Sequence, residues 1–235
     1  MSDQPGRVPI EAEPDWQTFY NAEAGIHGAS VRTSHYHNEK SFHLYRRSIF
    51  NWLGKLENQA ILDAGCGVGA FTEHLLQDGN AVHGVDFSTG SLKFAAQRGL
   101  APVCADVCAL PFASGTFDLT LCISVLQHIV DYSGAIHELH RVTRPGGVLL
   151  VATLNRQAVQ RQLLSLVYRP ALFTHLHTYT LSELEAAYTE LGLQEIEFLN
   201  LYHPFTCVTR HCHPGALQRY LSSTFVIKGR KPQLR

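Results

Sequence analysis

The chain has 235 residues, enough for one domain with an elaboration or at most two small domains. Hydrophobic residues make up 45% and charged residues 17%, a balance that can bury a substantial core, and the formal charge of -1 gives no global electrostatic case for nucleic acid. No apolar run approaches the roughly 18 residues of a membrane-crossing helix, and the start, MSDQPGRVPIEAEPDW, has acids and prolines where a secretory leader has a basic and then an apolar segment, so a cytoplasmic protein is expected.

The first 15 or so residues are polar, proline-bearing and expected to be poorly ordered. From Trp16 to Leu56 aromatic and basic residues recur without strand alternation, and Ser41 to Leu53 reads as an amphipathic helix. AILDAG (60–65) then reads as a buried parallel strand, and Ala70 to Gln77 as a helix stopped by Gly79. AVHGVD (81–86) is a second strand, followed by a helix that Ser88 can cap and that runs to about Arg98. Pro102 to Ala105 is a short third strand and FDLTLCIS (117–124) a fourth. Tyr132 to Thr143 reads as a helix, and the Pro-Gly-Gly turn at 145–147 launches VLLVATL (148–154), the fifth strand. Strands alternating with helices at this spacing predict a parallel sheet covered on both faces.

After Asn155 the rhythm breaks. Residues 156–178 set Arg156, Arg161 and Arg169 among leucines and aromatics. Leu181 to Leu191 is then a helix closed by Gly192, and Gln194 to Tyr202 and STFVIKGRK (223–231) are the last strands. With no helix between them, these two are expected to pair as an antiparallel edge. The six cysteines (66, 104, 108, 122, 207 and 212) are read as reduced thiols, because a chain this long with an ordinary core needs no disulfide scaffold.

The chemistry gathers where the first strand turns. Asp63-Ala-Gly65-Cys-Gly67-Val-Gly69 supplies a bend in which a ligand can approach the backbone with no Cβ in the way, and Asp86 closes the second strand 21 residues after Gly65. From that position a carboxylate accepts hydrogen bonds from both hydroxyls of an adenosine ribose. Gly65, Gly67 and Ala70 also satisfy the dinucleotide pattern G-x-G-x-x-G/A, so an NAD(P)-dependent oxidoreductase is the competing reading. Three features favour a methyl donor. Asp63 would repel a pyrophosphate yet suits a cationic sulfonium and ammonium, little chain remains for a second substrate domain, and the sheet ends antiparallel.

ILDAGCGVGAFTEHL, GVDFS, ADVCALPFASGTFDLTLCISVLQHI and LHRVTRPGGVLLVATLNR resemble the successive motifs of class I S-adenosylmethionine-dependent methyltransferases. Within that superfamily they are most similar to the group containing the ubiquinone and menaquinone biosynthesis enzymes. The resemblance covers about residues 40–155 in sequence, and 178–230 in layout. It implies an α/β Rossmann-like fold, with a seven-stranded, mostly parallel sheet, an antiparallel last strand and helices on both faces. It also implies S-adenosylmethionine as cofactor over the strand C-termini. Gly65 and Gly67 would flank its methionine portion, Asp86 would take the ribose, Asp106 and the backbone of Val107 would meet the adenine, and Ile123 would line the site through its backbone. Arg46, 17 residues before Asp63, matches an arginine that holds the methionine carboxylate in the ubiquinone O-methyltransferases, with Tyr45 and Arg47 as neighbours one residue away.

His128, a few residues past the fourth strand, is the candidate general base, against the alternative that it only organises its loop. No metal is expected, although His35, His37, His175, His177, His203, Cys207, His211, Cys212 and His213 are dense enough to raise the question. An N-terminal extension and helical cap is expected over 1–55, a cofactor-binding core over 56–155 and 179–230, and a lid insertion over 156–178. The lid's arginines and leucines could instead rest on a membrane surface. Together these predict methylation of a small acceptor, with oxygen preferred over nitrogen or carbon, by in-line transfer. Phe19, Tyr20, Tyr36, Tyr168 and Phe173 would suit an aromatic, quinone-like or otherwise planar acceptor, and a sugar is a further candidate. A non-catalytic S-adenosylmethionine-binding subunit is the remaining alternative.

Overall fold

The computed structural model describes residues 15–30, 39–159, 177–201, 208–211 and 222–233. Most of the expected lid, the first 14 residues, Tyr36, Tyr168, Phe173 and most of the scattered histidines and cysteines lie outside the described residues. In chain order the elements are α1 (Trp16–His27), α2 (Glu39–Leu53), β1 (Ala60–Ala64), a 3₁₀ turn (Glu73–Asp78), β2 (Ala81–Asp86), α3 (Thr89–Gln97), β3 (Ala101–Cys104) and β4 (Phe117–Ile123). A short 3₁₀ turn (Leu126–His128), α4 (Tyr132–Val142), β5 (Thr143–Leu154), α5 (Leu181–Glu190), β6 (Gln194–Leu201), β7 (Val208–His211) and β8 (Thr224–Arg230) complete it.

The strands form one sheet in the order β3-β2-β1-β4-β5-β8-β6-β7. The seven expected strands are all present, and β7 adds an eighth by pairing antiparallel with β6. β1 to β5 pair in parallel, and β8 runs antiparallel between β5 and β6. The expected antiparallel pair therefore forms, but β8 is an inner strand and not the edge. β1 pairs with β2 on one side and β4 on the other, so successive crossovers leave it in opposite directions. This reversal opens a crevice above the strand C-termini, where open α/β sheets bind ligands.

Neighbouring residues of each inner strand bury opposite faces, which is why these runs are apolar at almost every position. Leu62, Leu149 and Ile227 face a core shared with Ile136 and Leu139 of α4 and Leu184 and Tyr188 of α5. Ile61, Leu150 and Val226 face a second core, closed by Ile49 and Trp52 of α2 and Leu92 of α3. Trp52 is also tied across the sheet, its indole N–H donating to Glu197 at 3.2 Å while Lys228 lies 4.6 Å from its ring centre.

Two local expectations are corrected. β5 starts at Thr143 and runs through Pro145-Gly146-Gly147, because a register shift opposite Phe117 and Leu119 absorbs the extra residues as a bulge. A Cβ on Gly147 would lie 2.9 Å from the carbonyl oxygens of Arg144 and Asp118, so that bulge needs glycine. The helix expected over 70–77 is a 3₁₀ turn beginning at Glu73. Residues before it are drawn into the glycine bend, with Gly69 N–H on the Cys66 carbonyl, and the Thr72 hydroxyl donates to Asp63 instead of capping the turn. The cysteines at 66, 104, 108 and 122 are free thiols.

Candidate functional site

The bend after β1 is tied to β2 by its own backbone. The N–H groups of Gly65 and Cys66 both donate to the Val85 carbonyl, at 2.6 and 2.9 Å. Gly65 has φ +81°, and a Cβ there would lie 2.0 Å from Cγ2 of Val125 in the loop after β4, so both backbone conformation and space demand glycine. Ser124, beside that valine, is a non-glycine residue held at φ +59°. Its N–H donates to Ala152 and its carbonyl accepts from the Gln127 side chain, both at 2.8 Å. Strain of this kind persists where the surroundings over-determine the backbone, and here it stands on the wall of the crevice.

Asp86 organises the crevice floor. One carboxylate oxygen accepts the Gly67 N–H at 2.9 Å and the other the Ser88 N–H at 2.8 Å, locking the bend to the start of α3. Each oxygen keeps acceptor capacity for a hydroxyl. Asp63, 2% exposed in β1, accepts the Thr72 hydroxyl at 2.8 Å. Burial pushes its carboxyl up to about 7, against the Thr72 bond and reinforced by Asp86. Burial also raises Asp86, opposed by its backbone N–H bonds. Among the described residues no lysine or arginine pairs with either acid. A cationic ligand carrying neighbouring hydroxyls therefore fits this donor set, and a pyrophosphate does not.

Asp63, Gly65, Gly67, Asp86, Val107, Ile123 and His128 line this one crevice. Two expected residues do not. Asp106 is exposed, next in the chain to the lining Val107, with one oxygen accepting the Cys108 N–H at 2.8 Å. Arg46 donates from Nη1 to the Ala70 carbonyl at 2.9 Å, lies 3.8 Å from Glu73 and faces a separate groove behind the bend. Cys66 lies on the crevice wall, but burial first, and then Asp63 and Asp86, hold its thiol far above its ordinary value. It is therefore no nucleophile.

The roof is α1, whose placement comes from contacts far apart in sequence. Asp15 caps it by accepting the Thr18 N–H at 3.1 Å. Asn21 Oδ1 then accepts from the Gly90 N–H (2.9 Å) and the Ser88 hydroxyl (3.0 Å), and the Gln17 amide donates to the Phe87 carbonyl at 2.7 Å. Clamped there, α1 brings the Tyr20 hydroxyl 3.0 Å from Nε2 of His128 and sets the Trp16 ring edge-on at 4.4 Å between centroids. Sequence reasoning did not find the walls formed by Phe42, Phe71, Phe87 and Val125. Phe87 had a usable signal, since it follows Asp86 directly. Phe42 and Phe71 reach the crevice only through the packing of α2 on the bend.

Among the described residues no helix is long and apolar enough to cross a membrane, and no group of three or more potential metal ligands is gathered. Residues 62–151 match the family model of a methyltransferase domain. The chain is 34% identical over 116 residues to a demethylmenaquinone methyltransferase of Corynebacterium urealyticum, covering 49% of this chain and 50% of that one. It is 32% identical over 116 residues to a ubiquinone biosynthesis O-methyltransferase of Pseudomonas paraeruginosa, covering 45% and 50%. The chain thus spans about half the length of the curated relatives it matches. The fold is shared with magnesium protoporphyrin IX methyltransferase from Synechocystis PCC 6803, a structure with bound SAH, at TM-score 0.65 and 16% identity over 92% of this chain and 97% of that one.

Proposed function

We propose that this chain, whose residues 62–151 match the model of a methyltransferase domain, is a class I S-adenosylmethionine-dependent methyltransferase that methylates an oxygen of a small, planar acceptor. One observation carries the reading: two buried carboxylates without a cationic partner among the described residues, Asp63 and Asp86, bracket a bend whose glycines, Gly65 and Gly67, present backbone to the crevice. Gly65 and Gly67 would flank the methionine portion of the cofactor, Asp86 would take its ribose, and the backbone of Val107, with the exposed Asp106 beside it in the chain, would meet the adenine. When bound, the cofactor supplies a methyl group on a sulfonium, already activated for displacement.

The protein's part is then placement and proton handling. Ile123 would line the cofactor site through its backbone, Ser124 and Val125 continue that wall toward the acceptor, and the α1 roof would exclude water. The Tyr20 hydroxyl, hydrogen-bonded to His128 Nε2, would take the proton that leaves the acceptor oxygen while passing its own proton to Nε2, so that His128 acts as the base through the phenol. Tyr20, with Phe42, Phe71 and Phe87 in the same lining, offers flat apolar faces for a quinone-like or aromatic acceptor, and Trp16 and Phe19 pack against Tyr20. The two curated relatives described above carry quinone-pathway names, which supports that acceptor class.

The test is calorimetry with S-adenosylhomocysteine and with NADH, followed by transfer of labelled methyl to hydroxylated quinones, simple phenols and sugars. Saturable binding of the first ligand alone, with label on a phenolic oxygen, is expected. Binding of NADH, or no transfer to any acceptor by a chain that binds S-adenosylhomocysteine, would overturn the reading.

A further inference from the structure

A second groove is separate from the crevice above. It lies behind the glycine bend, between α2 and the 3₁₀ turn at Glu73–Asp78, and encloses about 670 Å³. α2 is amphipathic. Phe42, Ile49 and Trp52 are buried against the sheet, while Lys40, His43 and Arg47 are exposed at spacings of three and four residues, on one face. Lys55 extends this row just past the helix end, and Arg46 reaches into the groove beside it.

Four lysine or arginine side chains thus line the groove, against Asp78 as the single lining carboxylate among the described residues. Nearby acids engage part of this charge, Glu57 lying 2.7 Å from Lys55 and Glu73 lying 3.8 Å from Arg46. Arg47 makes no hydrogen bond or ion pair among the described residues. His74 adds no charge at neutral pH, because burial and then the Arg46 guanidinium lower its pKa. The groove also has an apolar wall, with the Phe50 and His74 rings edge to face at 4.5 Å and Leu44 and Leu75 beside them.

We infer that this groove is a second ligand site, taking a phosphorylated small molecule with a flat, apolar body. Convergent cations on a concave surface raise the local concentration of an anion, and guanidinium forks match phosphate oxygens. The Phe50 wall supplies a face for the organic part. A membrane surface suits the groove less well. The exposed large hydrophobic side chains among the described residues are Ile26, Val130 and Val159, and none of them lines it. The site is independent of methyl transfer, since no residue carrying its charge lines the cofactor crevice.

The experiment titrates the full chain with 1-naphthyl phosphate, followed by fluorescence and calorimetry, with 1-naphthol as the uncharged control. Saturable one-to-one binding of the phosphate alone is expected, unchanged by saturating S-adenosylhomocysteine. The exposed double variant Arg47→Glu/Lys55→Glu should weaken binding at least about tenfold, and Arg47→Gln by an intermediate factor, since each removes or reverses charge at the groove. No saturable binding, equal binding by the double variant with native circular dichroism, or competition by S-adenosylhomocysteine each overturns the proposal. If vesicles of anionic lipid bind the chain while naphthyl phosphate does not, the face is a membrane contact and the proposal fails.

Discussion

Tyr20 and His128, 108 positions apart, meet across the mouth of the crevice in a 3.0 Å hydrogen bond between the phenol and Nε2. Neither residue's own element demands the meeting. It follows from the docking of α1 on Ser88 and Gly90 through Asn21, and from the turn after β4 that the strained Ser124 begins. If the pair acts as a unit, Tyr20→Phe should lower kcat by roughly a hundredfold with little change in KM, and His128→Ala should do the same. The double variant should lose no more than the worse single one. Full turnover in Tyr20→Phe would leave the phenol a packing role only.

Asp86 holds the bend and the start of α3 through two backbone N–H groups, besides its proposed ribose contact. Asp86→Ala should weaken S-adenosylhomocysteine binding at least about tenfold and also cost about 1–3 kcal/mol of stability, because buried donors lose their acceptor. Calorimetry and urea unfolding read the two effects separately. Unchanged affinity in a destabilised protein would remove the ribose assignment and keep the structural one.

Asp63 predicts a pH dependence with a definite sign. In the folded chain burial keeps its proton on up to about 7, whereas in the unfolded chain the carboxyl ionises near its ordinary 3.8. The folded state therefore binds more protons between those values, so stability from this group is fully present below the lower value and is lost as pH rises through the upper one. Asp63→Asn should consequently be more stable than the parent at pH 8, by urea unfolding, with the difference shrinking toward pH 4. Binding of a cationic cofactor at pH 6 should release about one proton as the carboxyl ionises, measurable by calorimetry in buffers of different ionisation enthalpy. Release of no proton would mean that Asp63 stays neutral and that the positive charge sits elsewhere.

Gly65 tests the geometry of the bend. With φ +81° and a Val125 methyl 2.0 Å from the position of a Cβ, Gly65→Ala should destabilise by about 2–4 kcal/mol through combined strain and overlap. Adding Val125→Ala should restore the steric part but not the backbone part. An alanine variant as stable as the parent would show that the bend is built differently.

The crevice was readable where its parts are neighbours in the chain. Asp63, Gly65, Gly67 and Asp86 fall within one strand–turn–strand unit, so their spacing alone places them at adjacent strand ends. Arg46 shows where such reading stops. Successive helix residues point about 100° apart, so only packing decides which of Tyr45, Arg46 and Arg47 turns toward the bend. Tyr45 lies against Phe71, Arg46 bonds the Ala70 carbonyl from the other side, and Arg47 faces outward.

What the amino-acid order settled by itself was local: which runs are strands buried on both faces, where glycine must stand, and which acids flank the bend. Tertiary structure alone decided that β8 slips between β5 and β6, that α1 roofs the crevice and joins Tyr20 to His128, and that the cations of α2 line a groove of their own. The physical reason is the range of the interactions. Side-chain periodicity and turn chemistry are set within a few residues, whereas strand order, helix docking and pocket walls come from contacts between segments that meet only once the chain has collapsed around its two cores.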